Sequence, residues 1–479
     1  MEWLINIMMV CFTSAMLVMI VDSMYIRFKK WRLTILSLIS IASLLSSLVL
    51  LLMNWAPLYG KYLSIRPLES ALSTLYMIDS AGFVLTLLVL LISLFVVLYS
   101  KFYISQTDNV GPYFSLIILF VVSMIGVVVA GDLLALFLFW EAMSVCAYGL
   151  ASFNKEDQLS LESAIKYLVI AGTGSLTALF GIGLIYNETR SILISDLAKI
   201  NLGVLSIGQL GLLILIVGLG VEAAVFPLHT WLPDVYSSAH PPVTSLFVGA
   251  TKATSFYAII KILQRVTLPE MSITQLSLIL GVLSLLTMVV GNFSALYQLN
   301  IRRLFAYSSI AHAGYVLASL STLSSLGFIA AIFHLWNYGI VKSALFLLVG
   351  MVGKKYDEAD LNTLVGVGRN DKAVGALFAA LSLAMMGSPP FGLFWSELII
   401  INSLILSRSI LGIVLAVGVV LNILVSIGYY YRVINTISLG PGGSGRVTYE
   451  RMMLVPIILL TTISLATGIA PWIIMERIV

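Results

Sequence analysis

The feature that most constrains this chain is its succession of apolar stretches, each about 20 residues long, separated by short polar loops. A helix of that length spans the hydrocarbon core of a membrane. Hydrophobic residues make up 60% of the 479 residues and charged residues only 10%, whereas soluble domains carry roughly 25% charged residues. Because backbone polar groups in lipid must be satisfied within the chain, we predict an all-α polytopic membrane protein.

The spacing of the apolar stretches predicts about 14 transmembrane helices. When the loops are assigned alternately to two sides, one side holds nearly twice as many Lys and Arg residues as the other, and the positive-inside rule then places both termini outside. The first stretch is interpreted as a retained span rather than a cleaved signal. The dispersed net charge of +4 gives no nucleic-acid surface, and Cys11 and Cys146 lack metal-type spacing.

One stretch, Gly220 to Lys252, is apolar enough to lie in the membrane yet is interrupted by Pro227. It also carries Glu222 and His229. Proline removes a helix hydrogen bond, and at membrane depth the freed backbone groups must face protein or a hydrated cavity. We therefore predict a broken helix beside a hydrated cavity.

A second break is predicted at Pro389 and Pro390, ahead of Glu397. The two breaks occupy corresponding places in consecutive blocks of five spans, which indicates two inverted five-helix repeats, spans 4–8 and 9–13, with spans 7 and 12 broken. We divide the single membrane domain, residues 1–479, accordingly. Its parts are an N-terminal group of three helices, repeat one, repeat two and helix 14, at 1–111, 112–264, 272–436 and 451–479.

Ionisable side chains inside the spans are the candidate pathway residues, because each costs about 2.5–3.5 kcal/mol to insert at the membrane centre. Glu141 lies roughly 13 Å beyond Asp132 along its helix, too deep for a short side chain to reach the interface. Lysine near the start of a span is able to reach the interface, and a lone histidine can serve helix packing instead. The set is Glu141, Lys166, Glu222, Lys252, His312, His334, Lys342 and Glu397.

These acids and bases are spread over spans 5 to 12 rather than gathered into one substrate site. We interpret them as steps for protons along an axis in the membrane plane, since coupled titratable groups pass a charge change from one to the next. The sequence contains no pattern for an iron–sulfur, haem, flavin or metal site, so no cofactor is expected in this chain.

Several ordered motifs resemble the antiporter-like subunits shared by Mrp-type antiporters, respiratory complex I and membrane-bound hydrogenases. They are LFLFWEAMSVCAYGL, FPLHTWLPDVYSSAHPPVTSLFVGATK, IRRLFAYSSIAHAGY, AAIFHLWNYGIVKSALF and GSPPFGLFWSELII, and they follow the family's order. The resemblance implies a fourteen-helix fold with helices 7 and 12 broken. It also implies that Glu141 is the glutamate of helix 5, Lys252 the lysine of helix 8, and Lys342 a lysine of helix 11.

The chain departs from the family pattern at two positions. Glu222 stands where the pattern has a lysine before the broken segment, so a Glu–Lys pair becomes Glu141 beside Glu222. Two near carboxylates resist joint ionisation, and either they share a proton or Glu222 turns towards Lys252. Tyr338 stands where many members have a histidine.

The resemblance implies a proton- or sodium-translocating subunit of a multisubunit respiratory oxidoreductase. The implied partners are other membrane subunits, further antiporter-like subunits among them, and a peripheral redox arm that carries iron–sulfur or other redox centres. A redox-free Mrp-type cation/proton antiporter and a largely structural subunit with reduced transport are the two alternatives. The expected location is the plasma membrane of a prokaryote.

Overall fold

A computed structural model describes residues 2–25, 29–55, 62–65, 75–104, 109–199, 206–266, 270–353, 360–441 and 449–478. Helices dominate the described residues, as the apolar runs predict, because a helix satisfies its own backbone hydrogen bonds. The elements in chain order are α1 Glu2–Tyr25, α2 Lys29–Met53, β1 Tyr62–Ile65, β2 Tyr76–Asp79, α3 Ser80–Tyr103, α4 Val110–Val129, α5 Leu133–Ala151, α6 Gln158–Thr189, α7 Ile207–Glu222, α8 Trp231–Ser238, α9 Pro241–Leu246, α10 Lys252–Leu263, α11 Glu270–Leu296, α12 Ile301–Leu320, α13 Ser325–Gly353, α14 Val367–Asn370, α15 Lys372–Met385, α16 Gly392–Leu406, α17 Ile410–Val433, α18 Leu454–Ile469 and α19 Trp472–Ile478.

Eleven of the described helical segments are long and apolar enough to cross a membrane. Three shorter apolar helices, α7, α15 and α16, adjoin the two breaks. The helical membrane class predicted from the sequence is confirmed. The total of about 14 spans and the inverted repeats stay predictions.

The chain forms two compact units. Unit 1 comprises Met1–Ala223, Ala250–Thr274 and Arg477–Val479, and unit 2 comprises Ala224–Gly249 and Gln275–Glu476. The first proline break therefore clusters with unit 2, whereas the helix before it and the helix that begins at Lys252 belong to unit 1.

In unit 1, α1 packs against α2 and α4, and α10 packs against α3, α4 and α7. Strands β1 and β2 pair antiparallel, with Ile65 opposite Tyr76. Acidic side chains cap helices: Asp79 accepts from the backbone N–H of Gly82 at 2.7 Å, and Asp132 accepts from that of Ala135 at 2.6 Å. Such caps satisfy backbone donors that a helix start leaves unpaired.

Helices α6 and α7 of unit 1 pack along a face of glycines. Gly181 and Gly218 leave no room for a side chain: a β-carbon on Gly181 would lie 2.6 Å from the backbone N of Leu215, and one on Gly218 would lie 2.5 Å from that of Ala178. Small residues let helix backbones approach closely in membranes. Tyr167 lies on the same face of α6, fourteen residues before Gly181, and is thereby brought against α7.

In unit 2, α13 is the central helix. It packs against α9, α12, α15, α16 and α18, and its membrane-length apolar segment is fully buried. A helix that is buried all round is one that lies inside a bundle. The polar side chains of α13 therefore meet protein groups rather than lipid.

Candidate ion-pathway site

Lys342, on α13, lies fully buried within unit 2. Its Nζ donates to the backbone oxygen of Phe305 at 2.9 Å, to Ser308 Oγ at 3.1 Å and to Tyr430 OH at 2.9 Å. The ammonium also lies 5.0 Å from the centre of the Phe305 ring. An ammonium has three donors, and here all three find neutral oxygens. The site thus encloses the Lys342 amine deep in unit 2 among three oxygen acceptors.

His312 and His334 form a hydrogen-bonded pair one helix apart. His312 Nδ1 lies 3.1 Å from His334 Nε2, and His334 Nδ1 lies 2.9 Å from Ser396 Oγ. The two imidazole rings stack with centroids 5.2 Å apart. Imidazole both accepts and donates a proton, so this chain of three side chains joins α12, α13 and α16 in a path that suits proton transfer.

Aromatic hydroxyls surround the histidine pair. Tyr338 lies 5.1 Å from the His312 ring and 6.3 Å from the His334 ring, stacked on the latter. Tyr430, the acceptor for Lys342, interacts electrostatically with Tyr338 and Tyr315. The lysine and the histidine pair are therefore parts of one polar interior in unit 2.

A neutral polar cluster extends this interior towards α11 and α17. Asn292 donates to Tyr315 OH at 3.1 Å and to Asn422 Oδ1 at 3.0 Å, and it accepts from Tyr429 OH at 2.9 Å. The rings of Tyr429 and Tyr430 lie tilted against each other, with centroids 4.8 Å apart. All of these side chains are buried, and a buried amide is stable only when it is bonded in this way.

Glu397 lies on α16, beyond the second break, and only 5% of it is exposed. Its carboxylate interacts electrostatically with Tyr315 and Tyr429. Gly387, in the break, has φ +67°, and a β-carbon there would collide with Glu397 Oε2. The absence of a side chain at Gly387 thus makes the room that the carboxylate occupies.

In unit 1, Glu222 is the last residue of α7 and 5% exposed. Tyr167 OH donates to Glu222 Oε1, and the Tyr148 ring lies 4.9 Å from the Tyr167 ring. Glu141, on α5, interacts electrostatically with Glu222. The two arrangements left open by the sequence, a proton shared with Glu141 and a turn of Glu222 towards Lys252, stay predictions.

The other two predicted residues of unit 1 differ in surroundings. Lys252 begins α10, directly after a π-helical turn at Phe247–Thr251, and is 3% exposed. Lys166 is exposed on α6, and its Nζ lies 2.7 Å from Glu162 Oε1, one helical turn away. Lys252 is therefore enclosed within unit 1, whereas Lys166 lies on the surface of its helix.

The three predicted helix-breaking prolines all lie outside helices. Helix α7 ends at Glu222 and α8 begins at Trp231, so Pro227 lies between them. Helix α15 ends at Met385 and α16 begins at Gly392, with Pro389 and Pro390 in the gap. The peptide bonds Phe226–Pro227 and Pro389–Pro390 are cis.

Basic residues of α12 hold the segment after the first break. Arg303 Nη1 donates to Asp234 Oδ1 at 2.8 Å, and Arg302 Nη1 donates to the backbone oxygen of Ser237 at 2.7 Å. His229 is buried near the break and His240 precedes α9. This ion pair and hydrogen bond tie α8 to α12 within unit 2.

Sequence reasoning missed the hydroxyl and amide partners of the charged residues. Neutral polar side chains are common in helices, so single positions give no signal. Two local patterns point to them in retrospect: Tyr429 and Tyr430 lie together late in a long span, and Tyr167 shares a heptad spacing with Gly174 and Gly181. The missed residues are Tyr148, Tyr167, Asn292, Ser308, Tyr315, Ser396, Asn422, Tyr429 and Tyr430.

Known proteins resemble the chain in sequence. The profile described as NADH:quinone oxidoreductase/Mrp antiporter, TM, matches residues 130–422, more than half of the chain. The NADH-quinone oxidoreductase subunit N of Salinibacter ruber is 34% identical over 364 residues, which cover 74% of this chain and 72% of the relative.

Two solved structures resemble the fold over nearly its full length. A chain of the membrane-bound sulfane sulfur reductase, an archaeal respiratory membrane complex, superposes with a TM-score of 0.90 and 26% identity, covering 100% of this chain and 97% of its own. A chain of respiratory complex I from Thermus thermophilus superposes with a TM-score of 0.80 and 25% identity, covering 98% of each.

Proposed function

The chain belongs to the NADH:quinone oxidoreductase/Mrp antiporter family, and from that membership we propose that it is an ion-translocating, antiporter-like membrane subunit of a multisubunit respiratory oxidoreductase. The proposed ion is the proton, alone or exchanged for sodium. Relatives in complex I and in the sulfane sulfur reductase support the assignment to a respiratory complex. In this proposal the redox centres lie on partner subunits.

The observation that carries the proposal is the environment of Lys342. The Lys342 amine is an ionisable group enclosed inside a membrane-length helix and held by three neutral oxygens, and such groups mark ion pathways. The hydrogen-bonded path of His312, His334 and Ser396 lies in the same polar interior, and Glu397 follows Ser396 directly. A proton leaving one group thus has an acceptor to reach.

We assign the pathway to the members of the predicted set that are buried or partly buried. In unit 2 these are His312, His334, Lys342 and Glu397, and in unit 1 they are Glu141, Glu222 and Lys252. Lys166 is left out, because it is exposed and paired with Glu162. The breaks at Pro227 and Pro389 are proposed as the places where water reaches the pathway, since broken backbone in membranes lines hydrated cavities.

The test is proton uptake by liposomes that contain the purified complex, driven by the electron donor that the complex oxidises. Replacing Lys342 by Met removes the ionisable group, and we expect at least a tenfold fall in the initial rate. Lys155→Met is the matched control, because Lys155 is exposed in the turn between α5 and α6, and this variant should pump normally. A wild-type rate in a folded Lys342→Met complex would refute the pathway.

A redox-free Mrp-type antiporter is the second candidate, because the family description covers both kinds of protein. It predicts sodium efflux from the same liposomes when only a pH gradient is imposed, with no electron donor.

Both candidates place the protein in a prokaryotic plasma membrane. The excess of Lys and Arg in alternate loops supports the proposal that both termini lie outside.

A further inference from the structure

Lys261, on α10, is a buried basic residue that the proposed pathway does not use. Only 2% of it is exposed, and it lies in a membrane-length segment that is buried throughout. Its Nζ donates to the backbone oxygens of Ala130 at 2.9 Å, of Val127 at 3.4 Å and of Val128. These oxygens lie at the end of α4, and the last carbonyls of a helix have no partner within it. Lys261 therefore bonds α10 to the end of α4.

Arg432 makes the same kind of contact in unit 2. Its Nη1 donates to the backbone oxygen of Leu296 at 3.0 Å, and its Nη2 donates to that of Gln298 at 2.7 Å. Leu296 is the last residue of α11, and Arg432 lies in the last turn of α17, as Lys261 does in α10. Helices α4 and α11 begin the two predicted repeats, and α10 and α17 end them. The two basic residues thus occupy corresponding places along the chain.

The hydrogen-bond partners of Lys261 differ in kind from those of Lys342. A carbonyl oxygen only accepts a hydrogen bond, whereas a hydroxyl both accepts and donates. Lys342 has two hydroxyl partners, Ser308 and Tyr430, which can turn to donate to a neutral amine. In the described part of the chain Lys261 bonds carbonyls alone, so the loss of its proton would turn the lone pair of the amine towards a carbonyl oxygen. These partners therefore favour the charged form, which Arg432 keeps in any case.

A carboxylate and an aromatic ring also favour the charged form of Lys261. Asp79, at the start of α3, attracts Lys261 electrostatically, whereas Arg265 repels it. Asp79 also accepts from Tyr257 OH at 2.6 Å, and Lys261 Nζ lies 5.2 Å from the centre of the Tyr257 ring. The face of an aromatic ring attracts an ammonium group. The end of α10 is thus bonded to α3 as well as to α4.

We propose that Lys261 is a positioning residue that stays protonated and holds α10 to the end of α4, and that Arg432 does the same for α17 and α11. Each acts through its own helix. Helix α10 begins with Lys252, roughly 13 Å from Lys261 along the helix axis. Helix α17 carries Tyr430, the acceptor for Lys342, two residues before Arg432. The effect on transport therefore rests on the proposed function, whereas the effect on the ends of α4 and α11 does not.

The test compares Lys261→Met with Lys261→Arg in the purified intact complex, by hydrogen exchange of backbone amides and by proton uptake into liposomes. Methionine cannot donate, so exchange in residues 126–131 should quicken about tenfold and uptake should fall about threefold. Arginine keeps a charged donor that cannot pass a proton on, so it should leave both within about twofold of wild type. Lys155→Met, in the exposed turn between α5 and α6, is the matched control and should change neither.

Arg432→Met supplies the corresponding comparison in unit 2. It removes the donors to Leu296 and Gln298, so exchange at the end of α11 should quicken while exchange at the end of α4 stays as in wild type. Lys261→Met should show the opposite pattern. An equal change at both helix ends in either variant would contradict a local contact.

Uptake separates a positioning role of Lys261 from a proton step. Loss of uptake in Lys261→Arg with wild-type exchange at α4 would overturn the proposal, because an arginine cannot relay a proton. Wild-type exchange in Lys261→Met would overturn it too. Should either variant fail to assemble, Lys261→Gln replaces it, since its amide donates to carbonyls without carrying a proton. Uptake above half the wild-type rate then supports the proposal, and uptake as low as that of Lys342→Met refutes it.

The two proposals can fail separately. If Lys342→Met pumps normally while Lys261→Met quickens exchange at α4, the proposed pathway falls and the contact stands. If pumping depends on Lys342 but exchange is unchanged in Lys261→Met, the pathway stands and the contact has no positioning role.

Discussion

Two lysines within apolar helices, Lys166 and Lys342, have opposite surroundings. Lys342 is enclosed by three oxygen acceptors, whereas Lys166 and its partner Glu162 are exposed on α6. An exposed ion pair contributes about 0–1 kcal/mol, because surrounding polar groups or water replace the partner easily. An enclosed ammonium has no such replacement, so its removal leaves buried acceptors unpaired.

We predict from this contrast that Lys166→Gln leaves proton uptake and thermal stability close to wild type. Lys342→Met should instead destabilise the folded chain by about 1–3 kcal/mol, the usual cost of leaving a buried polar group without its partner. Thermal unfolding of the purified protein in detergent measures both. A fall in pumping for Lys166→Gln equal to that for Lys342→Met would return Lys166 to the pathway.

Sequence could predict the charged residues of the site but not their partners. A carboxylate or ammonium inside an apolar run carries a large transfer cost, and that cost makes Glu222 or Lys342 conspicuous without a structure. Tyr430 and Asn292 carry no comparable cost, and their roles arise from contacts far along the chain. For the same reason the sequence left Lys166 between a pathway role and a contact with the interface, since which face of a helix is covered depends on its neighbours.

At the scale of elements, the close contact of α6 and α7 sets the position of Tyr167 against Glu222. Gly181 faces the backbone of α7, whereas Gly183, two residues later on the same helix, has nothing within 4 Å of an added β-carbon. A Gly→Ala substitution can therefore be compared at Gly181, where α7 leaves no room, and at Gly183, where the space is open.

We expect Gly181→Ala to destabilise the protein by about 1–3 kcal/mol, because α7 must move to admit a methyl group. Gly183→Ala should be neutral or stabilising by up to about 1 kcal/mol, since alanine favours the helix. Melting temperatures in detergent compare the two. Equal effects would mean that the helix contact does not depend on a glycine at that position.

The second break supplies another prediction. Gly387→Ala must adopt a positive φ, at a cost of about 1–2 kcal/mol, and must also displace the Glu397 carboxylate. We expect lower stability together with slower proton uptake. Gly353→Ala, at the end of α13 where a β-carbon meets nothing within 4 Å, should change neither. Normal uptake in Gly387→Ala would show that the carboxylate tolerates displacement.

Elements were easier to predict than contacts. Prolines and apolar runs act locally, so the ends of α7 and α15 lie close to the breaks expected from Pro227 and Pro389. The π-helical turn before Lys252 has no comparable local cause, since Phe247–Thr251 is as apolar as its neighbours. Its geometry depends on the packing of a segment that is buried on every side.

For the whole molecule, the central question is what the chain assembles with. Its relatives include a subunit of an NADH-quinone oxidoreductase and a chain of a sulfane sulfur reductase. We predict that an affinity-tagged copy, purified from native membranes in mild detergent, retains iron–sulfur subunits. Mass spectrometry and the absorbance of the clusters measure this. Recovery of membrane subunits alone would favour the redox-free antiporter.

The contact between Gly387 and Glu397 also bears on how this protein can change over generations. Because the carboxylate fills the space that a side chain at 387 would need, and because residue 387 has a positive φ, a substitution of Gly387 is constrained twice. Position 397 is not constrained in the same way, since a shorter side chain there leaves Gly387 undisturbed. We therefore expect descendants of this sequence to change residue 397 before residue 387.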